Sequence, residues 1–236
     1  MHSFSLAVFD MAGTTVNEGN VVYRTLYKAF QRAGYQLSLN LVLRYGAGKE
    51  KLQATRDILQ KVAPFTANPE VRARGIHANF RETLSTAYQA LAVTTFPGTE
   101  QLFADLREQG IAVVLNTGYD RATAELLLRK LGWVEGREYA TLVSADEVKR
   151  GRPAPDMILL AMQRLGVEDA AQVLKVGDSI IDVEEGKNAG CGWTVGVTTG
   201  AHTREQLVSA RPDLVIDALP ELLDRIGGVG DAAIRS

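Results

Sequence analysis

Leu6-Ala7-Val8-Phe9-Asp10-Met11-Ala12-Gly13-Thr14-Thr15 is the stretch on which the reading of the chain turns. Four apolar residues predict a short buried strand. Asp10 ends it, and a Gly/Thr loop follows. A carboxylate at the C-terminal tip of a buried strand, beside such a loop, is well placed to be a nucleophile next to a phosphate.

Working outward, further short apolar runs repeat the pattern: Ile111–Asn116, Ala140–Val143, Val173–Val176, Trp193–Val197 and Leu214–Ile216. From Ile111 onward they alternate with helical stretches, among them Arg121–Leu131, Pro155–Leu165 and Val183–Ala189. Continuous apolar strands alternating with helices predict an α/β fold, a parallel sheet covered on both faces. Residues 19–95 read differently. They hold no clear strand, and Val22–Ala33, Lys49–Val62 and Pro69–Ala92 carry helical patterning. Phe96-Pro97-Gly98 punctuates the return to strand–helix alternation. The expected organisation is a core of residues 1–18 and 96–236 interrupted by an all-helical cap, 19–95. Residues 227–236 read as a frayed tail.

In doubly wound sheets, ligands gather at the carboxyl ends of the strands. Asp10 follows the first strand here, Thr117-Gly118-Tyr119 the second, Gly151-Arg152-Pro153 the third, and Gly177-Asp178-Ser179-Ile180-Ile181-Asp182 the fourth. Asp10 and Asp178 are hard oxygen donors suited to Mg²⁺. Thr117 and Gly118 offer a hydroxyl and backbone N–H groups to a phosphoryl oxygen. Arg152 supplies fixed positive charge. Asp182 either steadies its neighbours or caps the helix that follows. Each motif alone is weak, and their succession at strand ends carries the reading.

The set Asp10…Thr14, Thr117-Gly118, Arg152-Pro153 and Gly177-Asp178…Asp182 resembles the haloacid dehalogenase superfamily of phosphohydrolases. The resemblance covers nearly the whole chain. It implies a Rossmann-like core with an inserted cap, an aspartyl-phosphate intermediate, and Mg²⁺ as cofactor. Asp10 would be the nucleophile, the Ala12 carbonyl and Asp178 further metal ligands, Thr14 and Thr117 phosphate binders, and Arg152 the cation of the third motif. Gly13, Ser179 and Asp182 would support them.

Most members carry a second Asp where this chain has Ala12. That acid protonates the leaving alkoxide, a service worth roughly 10²–10⁴-fold. One branch dispenses with it. Asp10-Met11-Ala12-Gly13-Thr14-Thr15-Val16, Thr117-Gly118-Tyr119 and Gly151-Arg152-Pro153 resemble the signatures of the phosphonoacetaldehyde hydrolases. In that family a cap lysine forms an imine with the substrate aldehyde, and the imine takes the electrons of the C–P bond. Aligned on Gly46, Lys49 falls at that lysine. Such an amine must be partly neutral, through burial or a nearby cation. Three positions depart from the branch: Met11 stands for tryptophan, Tyr45 for methionine and Leu52 for histidine. His2, His77 and His202 match nothing catalytic.

Alternatives stay open at this point. Lys49 as a mere electrostatic contact would make the chain a phosphomonoesterase, and loss of chemistry would leave a phospholigand-binding protein. A dehalogenase is a minor reading, and a mutase is disfavoured by Ala12. The net charge of −2 gives no sign of nucleic-acid or membrane-surface partners, so the expected partner is a small phosphonate or phosphate. No apolar run is long enough for a membrane span and no signal-peptide pattern is seen. The single cysteine, Cys191, excludes an internal disulfide and predicts a reducing, cytoplasmic setting. The apolar stretch Val21–Phe30 is open to two readings, a homodimer face or the cap's own core.

Overall fold

Every residue of Leu6–Asp10 is buried, and this run forms the central strand β1. The computed structural model describes residues 4–227. The predicted tail lies outside the described residues apart from Gly227, and so does His2. Around β1 stand β4 (Ala112–Thr117), β5 (Thr141–Ser144), β6 (Val173–Gly177), β7 (Trp193–Val197) and β8 (Leu214–Ile216). They form one six-stranded parallel sheet in the order β5-β4-β1-β6-β7-β8. The chain winds outward from β1 in both directions, so the crevice of a doubly wound sheet opens at the end of β1, between β4 and β6. Asp10 lies opposite Asn116 in the β1–β4 register, and Thr117 opposite Ser144 in β4–β5. The fold is α/β with a Rossmann-like core.

Alternation along β1 sends its side chains to the two faces. Leu6 and Val8 join Val114, Val143, Met157 and Ile158, the last two from α7 (Asp156–Leu165). Ala7 and Phe9 join Leu115 and Phe103, the latter from α5 (Thr99–Glu108). Helices α6 (Arg121–Leu131), α8 (Ile180–Ala189), α9 (Arg204–Ser209) and α10 (Glu221–Gly227) complete the core. Cys191 packs at the edge of the first cluster, and burial pushes its thiol up to about 12.

Between β2 (Val16–Asn17) and β3 (Thr94–Thr95) the chain is helical: α1 (Val21–Arg32), α2 (Leu39–Gly46), α3 (Lys51–Val62) and α4 (Pro69–Ala90). β2 and β3 pair antiparallel, so the segment enters and leaves at one place. The apolar face of α1, with Val22, Leu26, Ala29 and Phe30, is buried inside the cap, where α1 packs on α4 and α2. α2 was not in the sequence reading. Ser38 starts it by accepting a hydrogen bond from Leu41 N. α3 begins two residues later than its periodicity implied. Glu50 caps it, taking Leu52 N and Gln53 N at 2.8 Å each. Lys49 therefore sits in the loop ahead of the helix, and Lys51 is the first helical residue.

Candidate active site

The strand ends bring Asp10, Thr117, Asp178 and Arg152 together, all buried. Arg152 Nη1 donates to Asp10 Oδ1 at 2.6 Å and lies 3.0 Å from Asp182 Oδ1. Its Nε reaches Glu185 Oε2 at 2.9 Å, and its Nη2 reaches Asn116 Oδ1 at 2.6 Å. Lys175 Nζ meets three of these four groups: Asn116 Oδ1 at 2.7 Å, Asp182 Oδ1 at 3.0 Å and Glu185 Oε2 at 2.9 Å. Asn116 completes the lattice by donating Nδ2 to both Glu185 oxygens. Ser179 Oγ donates to Asp182 in the first turn of α8. The planar guanidinium serves three carboxylates and the Asn116 amide at once, one group more than the three donors of an ammonium can reach.

Arg152 and Lys175 face four buried carboxylates: Asp10, Asp178, Asp182 and Glu185. With all ionised, the cluster carries two uncompensated negative charges. Burial raises the Asp10 carboxyl above its ordinary value, against the pull of Arg152. Asp178 is raised well above it by burial and then by Asp10 and Asp182. Burial also works against ionising Asp182, yet Arg152 and Lys175 hold it below the usual carboxylate range. Oxygens of Asp10, Asp178 and Asp182 lie within 4.8 Å of one another. An all-oxygen donor set with an excess charge of two fits a hard divalent cation.

The loop after β1 is shaped around Asp178. Gly13 has φ +90°, and a Cβ there would stand 2.4 Å from Asp178 Oδ2. Ala201 N donates to the same oxygen at 2.6 Å, and Thr199 Oγ1 ties down the Gly13 carbonyl at 2.6 Å. Thr14 Oγ1 is buried without a hydrogen-bond partner, a group available to a ligand oxygen. Thr117 Oγ1 accepts from Tyr119 N at 3.2 Å.

The cap closes over this floor. A Cβ on Gly118 would come within 2.9 Å of the carbonyl oxygens of Gly48 and Lys49, so only glycine allows the cap loop this close. Tyr23 OH accepts from Gly48 N at 3.2 Å, and Tyr88 OH donates to Tyr119 OH at 3.1 Å. A cavity of about 540 Å³ opens between α3, α4 and the loop after β4, with Lys51, Phe80, Tyr88, Gly118 and Tyr119 among its lining residues. His77 also lines it, stacked on Phe80, while His202 is structural, its Nδ1 accepting from Ile180 N at 2.9 Å.

Lys49 is not brought to the others. Its Nζ donates to Asp57 Oδ2 at 2.5 Å, a pair that remains partly exposed. Lys51 is the buried cap lysine instead. Three further buried groups escaped the sequence reading, Glu18, Lys175 and Glu185, and Asn116, read only as a strand end, was given no role there. Lys175 and Glu185 sit in a strand and a helix, where charges read as solvated unless a partner is known. The signal for Asn116 was a polar side chain ending an apolar run.

The model of the haloacid dehalogenase-like hydrolases matches residues 4–190. A phosphonoacetaldehyde hydrolase of Bacillus cereus strain ATCC 14579 is 32% identical over 204 residues, spanning 82% of this chain and 75% of that relative. Among solved structures, a phosphonoacetaldehyde hydrolase-like protein of Oleispira antarctica is similar with TM-score 0.80 at 26% identity, over 96% of this chain and 92% of that one. A predicted phosphoglycolate phosphatase of Haemophilus somnus 129PT shares the fold with TM-score 0.74 at 20% identity, over 94% and 98%.

Proposed function

Because the chain belongs to the haloacid dehalogenase-like hydrolases, we propose that it releases phosphate from a small carbonyl-bearing phosphonate, of the phosphonoacetaldehyde class. The observation that carries this reading is Ala12 beside Asp10. The nucleophile is present, but the side chain that would protonate an alkoxide leaving group is not. A C–P bond broken into a conjugated acceptor needs no such acid.

Arg152 binds Asp10 Oδ1 and fixes the carboxylate, so Oδ2 is the oxygen left to attack phosphorus. Thr14, Thr117 and the Gly118 N–H receive the phosphoryl oxygens. Tyr119 closes the cap side of the pocket. Asp10, Asp178 and the Ala12 carbonyl would hold Mg²⁺, which when bound supplies positive charge to the phosphoryl group. Asp182, held by Ser179, keeps Arg152 oriented. Water then hydrolyses the aspartyl-phosphate.

A phosphate-release screen of phosphonates against phosphate esters, with and without Mg²⁺, tests the proposal. Mg²⁺-dependent release from phosphonoacetaldehyde in preference to esters is expected. Turnover of esters alone would overturn it in favour of a phosphomonoesterase. The pairing of Lys49 with Asp57 favours that second reading, since it leaves Lys49 no carbonyl chemistry.

A further inference from the structure

The cavity between cap and core is larger than the reacting group needs. It encloses about 540 Å³, and none of Asp10, Thr117, Asp178 and Arg152 lines it. Gly118 and Tyr119 do, so it meets the phosphoryl pocket there and extends between α4 and α6. Phosphonoacetaldehyde would place only two carbons and one carbonyl oxygen outside the phosphoryl pocket. At water's share of roughly 30 Å³ per non-hydrogen atom, these fill about a sixth of the space.

The walls suit an apolar occupant. On α4, lining positions 77, 80, 81, 84, 85 and 88 follow the spacing of one helix face, about 16 Å long. Phe80, Leu84 and Tyr88 on that face are buried, and the His77 ring stacks on Phe80 at 5.9 Å between centres. Across the cavity, α6 offers Ala122 and the half-buried Leu126. The carboxylates in the walls are already engaged by the backbone. Glu50 accepts from Leu52 N and Gln53 N, Asp120 from Thr123 N at 2.8 Å, and Asp146 from Arg121 N at 3.0 Å. An acidic occupant would meet these three carboxylates. An amine would have to compete with the N–H groups that hold them.

We propose that this cavity is a subsite for an uncharged apolar arm of the substrate. The inference rests on the carbonyl-phosphonate reading above, on which the arm is carried by the carbonyl carbon, on the side away from phosphorus. The substrates are then 2-oxoalkyl phosphonates, ketones with an alkyl or aryl arm, and not the two-carbon aldehyde. Taking the arm out of water supplies binding energy remote from the reacting atoms, and that energy orients phosphorus against Asp10 Oδ2. Each methylene buried is worth a factor of roughly three to four in affinity.

Saturated alkylphosphonates carry the same head group and no carbonyl, so they bind without being cleaved. Titration calorimetry of the intact protein with Mg²⁺, over the series from methyl- to hexylphosphonate, reads the subsite. Affinity is expected to rise roughly threefold per methylene. Ser85→Trp, at an exposed wall position, and Leu126→Gln should flatten the series. The slope is taken within one protein, so a smaller folded fraction does not imitate its loss. A parent that binds no member, or binds all alike, overturns the proposal, as does a slope that survives both variants. A larger gain from ω-carboxyalkylphosphonates, abolished by Arg81→Gln, also overturns it, because the arm would then be an acid. Phosphate release is scored separately. A slope without release from 2-oxoalkyl phosphonates counts against the proposed function and leaves the subsite standing. Release from phosphonoacetaldehyde with a flat series does the reverse.

Discussion

The floor of the site and its roof hold their charges in contrasting ways. Beneath Asp10, Arg152 and Lys175 are each shared among carboxylates and the Asn116 amide, all of these within 3.1 Å. Above it, Lys51 has two tyrosine rings and one backbone carbonyl. A buried ion bound to counter-ions keeps its charge at any ordinary pH. A buried ion held only by dipoles and rings is free to lose it. The floor thus fixes its charges in place, while the roof holds a buried amine without a direct counter-ion.

The largest effect should come from Asp10, the proposed nucleophile. Asp10→Asn is expected to reduce phosphate release by on the order of 10⁴-fold or more and to abolish phosphoenzyme detectable by mass spectrometry. Persistence of phosphoenzyme would show that the floor does not carry the transfer.

Breaking the lattice tests its rigidity. Arg152→Leu leaves Asp182 and Glu185 with Lys175 alone and should cost roughly 3–5 kcal/mol in urea unfolding. A cost below about 1 kcal/mol would mean that the lattice is not coupled.

The uncompensated charge of the floor predicts the response to metal. Mg²⁺ at 100 times its dissociation constant should stabilise the protein by about 2.7 kcal/mol, and chelator should remove the gain. Asp178→Asn should abolish the Mg²⁺ response while leaving the metal-free protein as stable as the parent or more so, because a like charge is gone. Thermal shifts with and without EDTA measure both.

Glu18 sharpens the roof. It is buried beside Lys51, and burial pushes its carboxyl from 4.5 up to about 7. A carboxyl raised on folding favours the protonated form, so its penalty is absent below pH 4.5, grows up to pH 7 and stays constant above. Glu18→Gln keeps an acceptor for Val22 N and should gain stability over the parent across that window, by at most about 3 kcal/mol. A difference that does not vary with pH would refute this. The smallest effect belongs to the outer pair: Asp57→Asn should change stability by under about 1 kcal/mol.

The floor was legible in the sequence because its residues follow strands. Apolar runs ending in Asp10, Thr117 and Gly177-Asp178 place those groups at one sheet edge by topology alone. The roof was not, because helical position decides it. Lys49 and Lys51 differ by only two residues, but the helix begins between them, leaving Lys49 in the loop and Lys51 buried at the first helical position. The helix start at Glu50 decides this, and a capping glutamate is hard to tell from a surface one. Lys175 and Glu185 escaped for another reason. They neutralise each other's burial across 10 residues and two elements, and pattern along the chain does not show such pairing.

The antiparallel pair β2–β3 has a consequence for how such molecules diversify. Because residues 18–93 leave and rejoin the core at one two-rung ladder, the whole excursion can be lengthened, trimmed or exchanged with the ends already held together. The sheet would not register the change. A lineage can therefore rewrite what its members recognise while inheriting, untouched, the apparatus that moves the phosphoryl group.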